Sequence, residues 1–527
     1  MTSNQYDTVI IGAGHNGLVA AAYFAKAKKR VLVLERRAIA GGSLVTESFG
    51  SNPLLSAEGF QADSIWTGGT LRPDIIKYLN LASHGLQPDS VRKPFISLQT
   101  NSNHLVLDSD PAKAAESIKH FSEKDAAKWH KFIAFMNKSA QFLDAAYATI
   151  MPRLPKKFSF EEGYGLLEMG LDLRLMGRKD MLNLVRMLPM TAVEFMEEWF
   201  ESEQLKAAIA SVAIHGVTLG VMSAGTGYTL LHNWMNRGGL SHINVGKAGE
   251  ITQALTSAVK SLGGEIRTEA EVTKIRVDRQ EVKGVILANG EEISAKVVLS
   301  AADPKHTLLK LVGAMELPPE FVRKTQSIKM RGSVAKIHLL TNGNHGIPEG
   351  TLVLAPNLQY LERAYDTAKY GQISEKPYLE ITTSGNVVSV HFQFAPYTLK
   401  NGDWKTEGAK VENLAIDTLG EYFPNLKSST LMHLPHELPE ARANAVIIDH
   451  KTITPKDLEE TYGLTEGDLN HGQLMLDQFL FMRPIPGWSN HKTPIDGLYL
   501  CGSGAHGGGG VSGASGRNAA RMVLNNK

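Results

Sequence analysis

Gly12, Gly14 and Gly17 stand as GxGxxG in "VIIGAGHNGLVAAAYF", and Glu35 lies 23 residues past Gly12. That offset is close to the roughly 20 residues expected for an acid that meets a ribose. Each glycine has its own reason in such a loop. Gly12 permits the tight turn, Gly14 lets a pyrophosphate approach the main chain, and Gly17 lets the helix pack against the strand. The first turn of a helix offers free N–H groups and a partial positive charge to phosphates. Glu35 can accept hydrogen bonds from ribose hydroxyls. His15, Asn16 and Arg36 belong to the same two turns and complete this part of the candidate cofactor-binding set. Gly41 and Gly42, followed by Ser43, add a second glycine pair just beyond Glu35. NAD has no need of it, whereas FAD is long enough to run on to a second site.

A second glycine-rich tract lies near the other end, in "LYLCGSGAHGGGGVSGASGRNAARMVL", Leu498 to Leu524. Glycine costs backbone entropy on folding. The tract makes sense where something approaches the main chain so closely that no Cβ fits. Gly502, Gly509, Gly510 and Val511 are its candidate cofactor-binding residues, and His506 is the candidate catalytic residue.

These residues need elements to hold them. Thr8–Ile11 and Val31–Leu34 are short β-branched or aliphatic runs that read as buried strands, with an alanine-rich helix over Leu18–Lys28 between them. Residues from about Asp110 to Asn236 are helical by pattern and rich in Met and aromatics. The α/β texture returns at "VGKAGEITQALTSAVKSLGGEIRTEAEVTKI", with strands at Glu265–Arg267, Val272–Val277 and Val297–Ser300 and a hairpin at Asn289-Gly290. From about Lys329 to His433 strand-like alternation mixes with loops, and the last forty or so residues rejoin the α/β texture. The nucleotide-binding texture thus comes in three pieces.

The chain has 527 residues, too many for one core, so two or more domains are expected. Its formal net charge of +1 argues against nucleic acid as a partner. A single cysteine, Cys501, excludes an internal disulfide and a CxxC redox pair. No metal-ligand cluster shows recognisable spacing. No uncharged apolar run reaches about 18 residues and no secretory signal is visible, which sets the expectation of a soluble cytoplasmic protein, or of the mitochondrial matrix in a eukaryote.

The two glycine-rich ends, with "RRAIAGGSLVTE", "LRPDIIKYLNL", "VVLSAADP" and "LDQFLFMRPIPG", resemble the phytoene-dehydrogenase-related FAD flavoproteins along nearly the whole chain. The resemblance implies an α/β (α+β overall) fold. A discontinuous Rossmann-like FAD-binding domain of the glutathione-reductase/amine-oxidase type takes residues 1–75, 241–310 and 490–527. A mixed helical and β-sheet substrate domain takes 76–240 and 311–489. It implies FAD with its pyrophosphate on Gly12, Gly14 and Gly17, its ribose on Glu35, and its phosphate–ribityl region near Gly41 to Ser43. The Val272 main chain would hold the adenine edge, and Gly509, Gly510 and Val511 would pass under the flavin pyrimidine edge. Relatives often carry Arg where Ser43 stands, and His-Pro-Gly where His506-Gly507-Gly508 stands.

Other residues leave alternatives open. His506 is a proton-handling group near the flavin or a structural histidine in a tight turn. His471 belongs to the cleft wall or to packing, Cys501 reads as a small buried hydrophobe, and Lys247 as a surface or phosphate-region lysine. The Met-rich block Leu166–Phe200 is core or an adaptable wall for a long apolar substrate. Its segment "RLMGRKDMLNLVRML" mixes basic and apolar residues as a membrane-surface helix does. No second GxGxxG follows a strand, so electrons from reduced FAD are expected to go to oxygen, a quinone or another acceptor. The leading expectation is a flavin-dependent oxidoreductase of desaturase type, moving a hydride between FAD and an apolar, isoprenoid or lipid-like small molecule. The alternatives are a flavin amine oxidase using oxygen, and a non-catalytic escort or regulator on the same fold.

Overall fold

The computed structural model describes residues 5–49, 59–100, 103–153, 160–427 and 446–525. The last part of the stretch expected to run to His433 lies outside them.

Two seven-stranded sheets organise the chain. The first has a parallel core in the order Glu265–Arg267, Val31–Leu34, Gln5–Ile11, Glu292–Ser300, with Leu498–Leu500 on the far side of Glu292–Ser300. Glu281–Leu287 and Val272–Asp278 continue it as an antiparallel meander. Val31–Leu34 is buried at every position, as a parallel strand covered on both faces must be. The cover on one side is three helices, His15–Lys26, Ala248–Ser261 and Ala514–Asn525, whose alanines and glycines allow close approach. Ile11, Leu34, Ser300 and Leu500 lie level at the carboxyl end of this core. In open α/β sheets, ligands bind beyond that end.

The second sheet runs Ile447–Ile453, Val334–Thr341, Val387–Gln393, Tyr378–Ser384, Thr351–Val353, Phe95–Ser97, Leu105–Leu107. Strand alternation decides its two faces. Ala335, Ile337, Leu339, Leu379, Ile381, Val388, Val390 and Phe392 pack against the helix Trp404–Gly420. The opposite phase is polar (Lys336, His338, Glu380, Thr382, His391, Gln393), and it is buried too. Over it lie the end of the helix Glu203–Ile214, the turn after Thr226–Arg237, and residues 63–67 leading out of the strand Phe60–Asp63. A helical layer of Glu123–Ala148, Phe160–Leu175, Arg178–Met187, Ala192–Trp199, Glu203–Ile214 and Thr226–Arg237 forms its own aromatic-rich core, with Phe132 against Trp199, Phe200 and Trp234.

Candidate functional site: a glycine-lined cleft and a buried polar wall

The three glycines of the first loop differ in what surrounds them. Gly12 has φ +90°, a turn conformation that side chains disfavour. A Cβ on Gly17 would lie 2.2 Å from the Gly12 carbonyl oxygen. A Cβ on Gly14 would meet nothing within 4 Å, and Gly14 sits at φ −67°, ψ 167°, open to any residue. Neither backbone nor packing explains a glycine there. The cleft it faces does. Gly14 is also the N-cap of His15–Lys26 and supplies no side chain to cap it, so the first-turn N–H groups stay available.

Gly12, Gly14, His15, Asn16, Glu35, Arg36, Gly41, Gly42, Ser43, Val272 and Gly502 all line this one cleft. Glu35 is buried, and each of its oxygens already accepts a main-chain N–H, from Ala13 at 2.9 Å and Arg37 at 3.0 Å. It therefore ties the glycine loop to the end of the second strand as well as facing the cleft. Arg36 is exposed and donates to the Glu460 carbonyl at 2.8 Å. The sequence reading missed Arg37, which donates to the Gly42 carbonyl at 3.1 Å, pairs with Glu47 and lies over the Tyr462 ring. Tyr462 and Gly463 close the same wall, from a segment more than 400 residues away. His471 also lines the cleft, and Cys501 is buried beneath it with its thiol pushed up by burial. Lys247 is the N-cap of Ala248–Ser261 and is not among the cleft residues.

The second glycine tract is placed differently. Gly17, Gly509, Gly510, Val511 and His506 do not line the cleft. Gly509 and Gly510 have φ +92° and +67°, and Cβ atoms there would strike His232 (2.8 Å) and Asn236 (2.2 Å). Val511 packs on Gly69. Side chains here would meet protein, while the Gly510 main chain faces the His15 ring, which lines the cleft. His506 takes the second of its two expected placements, a histidine held within a turn. It is buried, and its Nε2 lies 3.2 Å from the Ala146 carbonyl and 3.0 Å from that of Thr149. It anchors the end of the long helix, and burial lowers it to about 3. The histidine beside the tract is His232. Its Nδ1 lies 2.9 Å from the Tyr147 hydroxyl, which is 2.9 Å from that of Tyr228, and its Nε2 is 3.0 Å from Asn236.

The buried polar face of the second sheet stands next to this network. Gln393 holds Gly216, whose carbonyl accepts from Asn470, the neighbour of Gly509. Glu380 receives Arg237 (2.9 Å) and His242 (2.6 Å), with His215 Nδ1 at 3.2 Å. Burial alone would raise Glu380, but Arg237, then His215 and His242, hold it well below the usual carboxylate range. His215 stacks on His391 at 4.0 Å. Burial lowers His391 and His232 to about 3 and His242 and His15 to about 4, so all four are neutral at pH 7. Lys336 donates to Thr67, and burial lowers it to about 8. His215, His242 and Glu380 have metal-ligand chemistry, but the Arg237 fork already occupies the carboxylate, and a divalent cation there would face it in a dry interior. The signal for this wall was present in "AKIHLL", "YLEITT" and "VSVHFQ", as alternation whose polar phase looks solvent-facing.

Residues 17–436 match the family described as Flavin containing amine oxidoreductase. The chain is 32% identical to rat Pyridine nucleotide-disulfide oxidoreductase domain-containing protein 2, covering 99% of this chain and 93% of that one. It is 23% identical to the lycopene-forming phytoene desaturase of Pantoea ananas, covering 98% of each. Cyclohexylamine oxidase from Brevibacterium oxydans has the same fold, with a TM-score of 0.54 at 16% identity over 99% of both chains. The open cradle at Gly14, the uncapped helix start and the second glycine pair, Gly41 and Gly42, on the same cleft fit an extended dinucleotide. The chain belongs to the flavin containing amine oxidoreductase family, as an FAD-dependent oxidoreductase.

Proposed function

We propose that this enzyme moves a hydride between FAD and an uncharged, largely apolar small molecule, in the manner of a desaturase. The observation that carries this reading is that the carboxylates of the buried polar wall are already engaged by other groups of the protein. Glu380 is held by Arg237, and Asp63 accepts from Thr46 and the Ala248 N–H, with burial raising it to about 6. Glu380 has both oxygens engaged, and Asp63 already lies in the field of the Lys336 ammonium, so neither stands as an unclaimed counter-charge for an ammonium group. The surrounding imidazoles are neutral at pH 7. The names of the relatives point the same way, since phytoene is a hydrocarbon.

The first-turn N–H groups of His15–Lys26 and Gly14 would hold the pyrophosphate, Glu35 and Arg36 the ribose end, Val272 the adenine edge, and Gly41 to Ser43 the middle of the cofactor. Bound FAD supplies a two-electron acceptor or donor for hydride. Around it this chain contributes a dry wall, in which His232 is fixed by Tyr147 and Asn236, and Lys336 is the buried amine nearest neutral at physiological pH. No second GxGxxG follows a strand in the sequence, which supports oxygen, a quinone or another acceptor in place of a built-in nicotinamide.

The test is anaerobic bleaching of the FAD-loaded protein by a panel of isoprenoid alkenes, acyl lipids, primary amines and NADPH. Bleaching by an alkene or acyl lipid is the expected result. Rapid bleaching by an amine, with peroxide on admitting air, makes it an amine oxidase instead. Bleaching by NADPH alone overturns the view of the acceptor.

A further inference from the structure

The helices Phe160–Leu175 and Arg178–Met187 turn apolar side chains outward. Tyr164, Leu167, Leu171 and Leu175 repeat at three and four residues along the first, exposed by 58%, 60%, 54% and 79%. Leu182 and Val185 continue the patch on the second, at 49% and 53%. Single exposed apolar residues are ordinary, but six on adjoining helix faces mark a contact surface. Among the described residues no helix is long and apolar enough to cross a membrane.

Charge says what covers the patch. Arg174, Arg178 and Lys179 are exposed beside it and form no ion pair among the described residues. Beyond them a groove is lined by Lys128, Lys179 and Arg186 against one carboxylate, Glu198, with Phe195 and Trp199 at its floor. Glu198 is held by Arg186 at 2.6 Å, which leaves Lys179 free to meet a phosphate. Glu168 and Asp172 stand on the first helix, and Asp180 is held by Lys138 at 2.8 Å, so the cationic pole lies where the two helices meet, at Arg174, Arg178 and Lys179. A second copy of this chain would strip water from Arg174, Arg178 and Lys179. A bilayer surface leaves them in the headgroup layer while the leucines enter the acyl boundary.

We propose that this face docks the enzyme on a bilayer surface containing anionic phospholipid, with the basic groove taking a headgroup phosphate. The proposal stands apart from the substrate reading and can fail without it.

The experiment is vesicle co-sedimentation of the FAD-loaded protein, with phosphatidylcholine alone and with phosphatidylcholine mixed with phosphatidylserine. The wild type pellets with the mixed vesicles. Leu171→Glu with Leu175→Glu lowers that partition at least about tenfold, and Arg178→Glu with Lys179→Glu lowers it by a similar factor on mixed vesicles only. Both variants keep their flavin and melting temperature, since these side chains are exposed. If the leucine pair loses flavin, Leu175→Gln is read in the same assay and lowers the partition less. No pelleting of the wild type overturns the proposal, as does equal pelleting of wild type and leucine variant. A wild type that runs at twice the chain mass and becomes monomeric in the leucine variant, with no vesicle binding by either, assigns the face to a second copy.

Discussion

The two glycine-rich ends look alike as sequence and do different things. At Gly14 a missing side chain leaves open space, and only a ligand accounts for it. At Gly516 a Cβ would lie 2.1 Å from the Asn16 carbonyl, and at Gly508 2.1 Å from that of Ser503. The second tract is glycine-rich because the chain packs on itself, bringing the last helix against the first. Close approach to the main chain is therefore built in at both ends: Gly14 faces the open cleft, whereas Gly508 and Gly516 are closed in by protein backbone.

Substitutions separate the two. The largest effect is expected from Gly14→Val. Its side chain enters the cleft without touching protein, so FAD affinity falls by a hundredfold or more, about 3 kcal/mol, while the flavin-free protein melts at its usual temperature. The flavin-to-protein absorbance ratio and a thermal melt read this directly. A folded, fully yellow variant breaks the contrast. Gly516→Ala is expected to do the reverse. Helix propensity favours alanine by about 1 kcal/mol, but the clash with Asn16 is backbone against Cβ and costs about 3 kcal/mol. The flavin-free protein should melt well below wild type, and a rise in melting temperature would show the tract to be slack.

Glu35→Ala comes next. It strips acceptors from the Ala13 and Arg37 amides and, on the proposed reading, from a ribose. Charge-assisted bonds of this kind contribute about 1.5–3 kcal/mol, so FAD affinity is expected to drop ten- to a hundredfold, with a smaller loss in the flavin-free melt. Glu35→Gln, which keeps one acceptor, recovers part of both. Unchanged affinity in titration of apoprotein removes Glu35 from the cofactor's contacts.

Asp63 gives the smallest and most pH-dependent effect. One of its oxygens has no hydrogen-bond partner, and burial raises the carboxyl from 3.8 to about 6. The folded state thus holds the proton more tightly than the unfolded chain does. Stability falls as pH rises from about 4 to 6 and stays reduced above that. Asp63→Asn does not titrate, so it should gain about 1–2 kcal/mol at pH 8, net of the lost attraction to Lys336, and nothing near pH 4. Denaturant melts at the two pH values test it; an equal change at both would mean the carboxyl is not buried in this way.

What was legible in the sequence was local. Val31–Leu34 and Glu265–Arg267 are strands at the expected residues, and the first loop has the backbone and packing its spacing implies. What was not legible depends on distant segments meeting. Nothing near Arg37 announces Tyr462, and nothing near Gly509 announces His232. His506 drew notice through its neighbours in sequence, yet its partners are carbonyls some 360 residues earlier. Lys336 was passed over because a lysine on an alternating strand ordinarily faces water. Only the elements covering that sheet make the site dry.

The strand Glu292–Ser300 carries one more consequence. Ser300 lies between Ile11 on one side and Leu500 on the other, so the beginning, middle and end of the chain meet at one level of the sheet. A chain emerging from the ribosome cannot finish this sheet until its last strand is made. Until then Val298–Ser300 presents an unpaired edge, a template for pairing with another nascent chain. Loss of residues 498–527 would remove that closing strand together with the helix that packs beside it.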